Sequence, residues 1–171
     1  VNQAGTILHR ILWHIASVGV ENLPANFRAN LSALCLRHLR ALGIPAAEHD
    51  RAAQLIVQAV NNMLNDEFGT QILSCHHKEA YAEWRLTNVL ATTSDPQFSH
   101  IRLDRVFVDQ TDRLWLIDYK LIQSAENLAT AVQKNTSQVL GYAEMLKRLK
   151  PDCAIVAGLY FPLQTHWHQV L

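Results

Sequence analysis

Asp104, Asp118 and Lys120 are the residues whose types and spacing point most directly to chemistry. They lie in Arg102-Leu103-Asp104-Arg105-Val106 and, after a polar turn, in Leu116-Ile117-Asp118-Tyr119-Lys120. Side chains in a β-strand alternate faces, so Asp118 and Lys120 point one way while Ile117, Tyr119 and Leu121 point the other. If the two segments pair about the turn, Asp104 reaches the same surface from the neighbouring strand. Two carboxylates so placed can hold a hard cation such as Mg²⁺, which polarises a phosphoryl oxygen and lowers the pKa of a bound water. A lysine beside them orients that water and stabilises developing negative charge. The backbone carbonyl of Tyr119 offers a further oxygen ligand. This is a set suited to phosphodiester hydrolysis.

An isolated Asp-x-Lys pair is better explained as an exposed, nearly neutral ion pair on a solvated strand. The flanking run Leu114-Trp115-Leu116-Ile117 shifts the balance. Such a run belongs inside a sheet covered on both faces, where unpaired charge is costly.

The elements that must position these residues follow from periodicity. Ile7, Leu8, Ile11, Leu12, Ile15 and Val18 recur at the helical period between Thr6 and Val18, with Gly5-Thr6 as a start and Gly19 as a stop. Further helical stretches are expected over 26–42 and 46–64, separated by Gly43 and Pro45. From there the pattern changes to β-branched, aromatic and leucine-rich runs over 82–90, 101–108 and 114–121. Ser94-Asp95-Pro96 and the stretch from Asp109 to Arg113 serve as turns. A helix over 127–149, closed by Lys150-Pro151, a buried-type strand over 154–161 and an edge strand over 166–171 complete the chain. The order predicts an α/β (α+β) fold with a helical N-terminal half and a central mixed sheet flanked by helices.

A length of 171 residues with 49% apolar and 18% charged side chains suits one domain spanning 1–171. Opening on Val1 with helical pattern almost at once, it is expected to be excised from a longer polypeptide. No apolar run approaches the ~20 residues that cross a bilayer, so a soluble, intracellular protein without membrane contact is expected. Cys35, Cys75 and Cys153 are too few and too scattered for a disulfide framework or a C-x-x-C metal site. The formal net charge is zero, unusual for a domain that grips a polyanion unaided. If DNA is the substrate, something else delivers it.

Several motifs together resemble the C-terminal nuclease domain of RecB and AddA helicase-nucleases, within the PD-(D/E)XK superfamily with its restriction-endonuclease-like core. Gly5-Thr6-Ile7-Leu8-His9-Arg10-Ile11-Leu12 is similar to the family's opening helix, whose histidine joins the active site. Ala82-Glu83-Trp84-Arg85-Leu86 resembles the first strand, with its glutamate at the edge of the catalytic face. Leu103-Asp104-Arg105-Val106 and Ile117-Asp118-Tyr119-Lys120 resemble the two signature strands, and Gln138-Val139-Leu140-Gly141-Tyr142 the Gln-x-x-x-Tyr motif on the following helix. The five occur in order from residue 5 to residue 142. The resemblance implies that His9, Asp104, Asp118 and the Tyr119 carbonyl ligate Mg²⁺ or Mn²⁺ and that Lys120 assists the attacking water. Gln138 and Tyr142, one helical turn apart, line the DNA path or brace the site, and Glu83 supports it. Two departures mark a divergent branch: His100-Ile101-Arg102 stands where a glycine usually precedes the first aspartate, and Leu121 where a threonine usually follows the lysine. Some relatives carry an iron-sulfur cluster on four cysteines, which three scattered ones exclude.

The helical wheel agrees on His9. At ~100° per residue the apolar stripe centres between Ile7 and Ile15, and His9 with Trp13 falls outside it. The family implies an exodeoxyribonuclease V-like enzyme of the bacterial cytoplasm acting in double-strand break repair and recombination. Single-stranded DNA would be its substrate, with a helicase on the same chain and a second helicase-nuclease subunit as partners. A catalytically inactive DNA-guiding or assembly module of the same fold, and a free-standing nuclease, are the alternatives. Cys75-His76-His77 reads as a polar loop before a strand rather than a zinc site, because adjacent residues splay apart. Arg85, Arg102 and Arg105 are candidate phosphate contacts, and Trp167 between His166 and His168 reads as packing in an edge strand.

Overall fold

The computed structural model describes residues 2–90, 97–123 and 127–171. Four helices come first: α1 (Asn2–Val18), α2 (Phe27–Ala41), α3 (Ala46–Asn65) and α4 (Glu67–Leu73). Three strands follow, β1 (Glu79–Leu90), β2 (Gln97–Val108) and β3 (Arg113–Tyr119), then α5 (Leu128–Leu149), β4 (Ala154–Phe161) and β5 (His166–Gln169). The strands form one sheet in sequence order, parallel between β3 and β4 and antiparallel elsewhere. The parallel pair requires a crossover, and α5 supplies it. The expected mixed α/β class, helical N-terminal half and β2–β3 hairpin are what the chain adopts.

Helix α1 begins four residues before the expected Thr6 and ends where Gly19, at φ 86°, takes a conformation that L side chains rarely adopt. A Cβ at Gly19 would also meet the Cys75 side chain at 2.7 Å. Helix α4 was not expected from periodicity. Its N-cap Asp66 accepts from the Gly69 amide at 2.8 Å and from the Tyr160 hydroxyl at 2.7 Å. The turn expected at Ser94-Asp95-Pro96 lies outside the described residues. No helix among the described residues is long and apolar enough to cross a membrane.

The sheet separates two cores. On one face Ile7, Leu8, Ile11, Leu12 and Ile15 of α1 pack with α2, α3 and α4 against Phe107, Ile117, Tyr119 and Tyr160. On the other, Val139, Ala143 and Leu146 of α5 cover Val106, Leu114, Leu116, Leu159 and Phe161. Each of these large aliphatic side chains contributes about 1.5–3 kcal/mol on burial, which holds the central strands in place. Side-chain alternation then places Asp118 on the α5 face with Leu114 and Leu116.

That alternation breaks at one place in the β1–β2 ribbon. Ala82 and its partner Arg105 face the α1 side, yet Trp84 and its partner Leu103 pack on the α5 side. The ladder skips Glu83 and Asp104 between them, and Glu83 sits at φ 49°. A left-handed residue in a strand is costly for a non-glycine side chain and rotates the ribbon locally. Here it releases Asp104 from ladder pairing at the centre of the candidate site.

Candidate active site

Hairpin register carries Asp104 to Asp118. Arg105 pairs with Ile117, so one step further along the antiparallel strands Asp104 stands opposite Asp118. Asp104 Oδ2 accepts the Tyr119 amide at 2.9 Å, while its Oδ1 lies 3.2 Å from His9 Nδ1. The other ring nitrogen, Nε2, lies 3.2 Å from the Tyr119 carbonyl oxygen. His9 thus reaches round the end of β3 from α1, outside the apolar stripe as the wheel requires. Both neighbours of the ring are acceptors. Burial alone would lower the His9 pKa; the hydrogen bond and charge of Asp104, with Asp118 and the Tyr119 carbonyl, outweigh it and raise the pKa overall.

Asp118 is 6% exposed. Burial first, and then the facing charge of Asp104, push its carboxyl well above the usual range, against the opposing pull of Lys120 and His9. Lys120 Nζ lies 2.8 Å from Asp118 Oδ2, close enough for an ion pair. That ammonium is the one polar contact of this buried oxygen among the described residues. Lys120 also donates to Gln138 Oε1 at 3.2 Å, and Gln138 Nε2 donates to the Tyr142 hydroxyl at 2.9 Å. A chain of contacts therefore runs from α5 through Lys120 to Asp118. Gly5, Thr6, His9, Arg102, Tyr119, Lys120 and Leu121 line the cleft over this cluster, about 470 Å³ in volume.

The donor set answers whether a divalent ion fits. Two facing carboxylates, a strand-end carbonyl and an imidazole converge, rich in oxygen and poor in hydrogen-bond donors, with one lysine ammonium beside them. Oxygen-dominated sets of this kind match hard cations such as Mg²⁺ and Mn²⁺. The residues fit.

The sequence profile of the PD-(D/E)XK nuclease superfamily matches residues 1–166. The chain belongs to that superfamily. Among curated proteins, none matches it. PD-(D/E)XK proteins are nucleases and generally use divalent metals such as Mg²⁺.

Some residues lie elsewhere than the sequence suggested. Glu83 stands opposite Asp104 in register, but its carboxylate pairs with Arg102 at 3.7 Å and lines a neighbouring cleft. Arg105, a candidate phosphate contact, is 2% exposed and donates to the carbonyls of Ile72 at 2.8 Å and Ser74 at 2.9 Å. It closes the end of α4 and cannot reach a substrate. Of Cys75, His76 and His77 only His77 turns away, stacking on Phe107 at 3.9 Å, whereas Cys75 and His76, expected to splay apart, converge on Glu21. Those three ligand atoms lie within 4.8 Å of one another, a grouping invisible in sequence because Glu21 is far away along the chain. Burial alone would raise the Glu21 pKa, but Ser74 and Cys75 donate to its carboxylate and bring it down to about 2. Among the buried charged residues, Asp109 escaped notice as anything beyond a turn residue. An aspartate two residues before a threonine in a hairpin turn was the available signal.

Proposed function

We propose that this domain hydrolyses DNA phosphodiesters with a divalent ion held by Asp104, Asp118, His9 and the Tyr119 carbonyl. The chemistry supplied by Mg²⁺ or Mn²⁺ there is polarisation of the phosphoryl oxygen and a lowered pKa for water. Lys120, tethered by Gln138, directs its ammonium at the attacking water and at the charge that develops on phosphorus-bound oxygen. Water adds to phosphorus in line, the bond to the leaving sugar oxygen breaks, and that oxygen takes up a proton. The observation that carries the reading is the pair of facing carboxylates, Asp104 and buried Asp118, with the His9 ring bridging Asp104 and the Tyr119 carbonyl. Two carboxylates set face to face in a buried place repel each other, and a divalent ion held between them relieves that cost.

The finer reading rests on the five ordered motifs. The domain belongs to a RecB/AddA-type helicase-nuclease of exodeoxyribonuclease V kind in the bacterial cytoplasm, and works in double-strand break repair and recombination. A helicase motor on the same polypeptide feeds it single strands, and a second subunit completes the machine. Zero net charge supports delivery by such a motor. The test is to incubate the domain with labelled single-stranded DNA and Mg²⁺ or Mn²⁺, beside Asp118→Ala and Lys120→Ala. Metal-dependent degradation abolished by either substitution is expected. Equal degradation by wild type and both variants would overturn the assignment.

A further inference from the structure

A second cleft, about 440 Å³, adjoins the first. Arg10, Trp13 and His14 of α1 line it at positions i, i+3 and i+4, and so share one helix face. Arg37 and His38 of α2 stand across from them, and Glu83 closes one side. Continuity with the catalytic cleft is direct: His9 and Arg10 are neighbours on α1, and Arg102, which lines the catalytic cleft, pairs with Glu83, which lines this one.

Three observations mark the surface as more than solvated charge. Neither Arg10 nor Arg37 has an ion-pair or hydrogen-bond partner among the described residues, so ten guanidinium N–H donors stand together without an acceptor. Burial, and then the positive charges of these same two arginines, hold His38, which lines the same cleft, below its usual range. Trp13 is 46% exposed although it carries the largest apolar surface of any side chain. A protein with zero net charge has concentrated unpaired positive charge and an open indole beside a site that needs a polyanion.

We propose that this cleft is the track along which a single nucleic-acid strand runs to or from the catalytic cluster, with phosphates on Arg10 and Arg37 and an unpaired base stacked on Trp13. The proposal rests on the nuclease reading of the neighbouring site. The exposed indole selects a single strand, because a stacking platform needs a base face that a duplex keeps covered. Phosphate contacts by arginine carry the affinity and make it salt-dependent.

The test measures binding of a fluorescein-labelled oligothymidylate to the whole chain in chelator, where no cleavage can occur, over a range of salt. Arg10→Gln/Arg37→Gln is expected to weaken binding about tenfold or more and to flatten the plot of log affinity against log salt by ~0.7 for each phosphate contact removed. Trp13→Ala is expected to weaken binding about tenfold with the salt slope unchanged, the signature of lost stacking. Arg148→Gln, at the exposed end of α5, is the control and keeps wild-type affinity. Melting curves verify that each variant is folded. Wild-type affinity and slope in both cleft variants would overturn the track, as would a blunt duplex that binds as well as the single strand and responds equally to Trp13→Ala. The two ideas fail separately. Variants that lose binding while wild type cleaves nothing with any divalent metal would sink the nuclease reading alone; metal-dependent cleavage with unaltered binding would sink the track alone.

Discussion

The β2–β3 hairpin carries a buried aspartate at each end, and the two are solved in opposite ways. At the turn, Asp109 accepts five hydrogen bonds: from the Thr111 amide at 2.8 Å and hydroxyl at 2.7 Å, the Arg113 amide and Nε each at 3.1 Å, and Trp115 Nε1 at 2.8 Å. Burial alone would raise its pKa, but those donors hold it well below the carboxylate range. At the open end, Asp118 faces Asp104 and has the Lys120 ammonium as its one polar contact among the described residues, so burial and the facing charge move its pKa the other way. A carboxylate saturated with donors builds structure. A carboxylate set against another of like charge, with few donors, is built to receive a cation.

Crossing the two positions gives the largest expected effects. Asp118→Asn should cost about 10³-fold or more in metal-dependent cleavage while melting at or above the wild-type temperature in chelator, because it removes like-charge repulsion. Asp109→Ala should do the reverse. It strands Trp115 Nε1 and the Thr111 and Arg113 amides, costing about 2–3 kcal/mol in a denaturant titration, while the folded fraction cleaves at the wild-type rate. If Asp118→Asn destabilises as much as Asp109→Ala, the contrast collapses.

Acid sharpens the same contrast. The folded pKa of Asp109 lies below its unfolded value of ~3.9, so its contribution is fully present above about pH 4 and is lost as pH falls through the folded value. Wild type should therefore lose stability more steeply below pH 4 than Asp109→Asn, and parallel acid melts would count against the hydrogen-bond account. The smallest effect concerns the tether on Lys120. Gln138→Ala should slow cleavage by roughly threefold to tenfold, the scale of one partly exposed hydrogen bond, with metal affinity unchanged; a loss as deep as that of Lys120→Ala would make Gln138 a participant in the chemistry rather than a brace.

Long periodic segments were legible in the sequence. The stripe of Ile7, Leu8, Ile11, Leu12 and Ile15 marks α1, and α5 and β4 fall within a residue of expectation. The Asp118-x-Lys120 alternation and the hairpin also followed from period and turn residues. Seven-residue α4 did not, because it is too short to repeat an apolar period and is fixed by Asp66 capping and by Tyr160 from a distant strand. Arg105 was misplaced for a related reason. Its side chain is committed by the carbonyls of Ile72 and Ser74, which only tertiary packing brings to it. The face switch at Glu83 and Asp104 depends on one left-handed residue, and no residue type at position 83 announces it.

The central claim is that the open end of the hairpin holds a divalent ion and the turn end does not. Titrating Mn²⁺ into metal-free wild type, Asp118→Ala and Asp109→Ala, with bound ion read by electron paramagnetic resonance, tests it most directly. The account predicts binding in wild type and Asp109→Ala and its loss in Asp118→Ala. Undiminished Mn²⁺ binding by Asp118→Ala would contradict it.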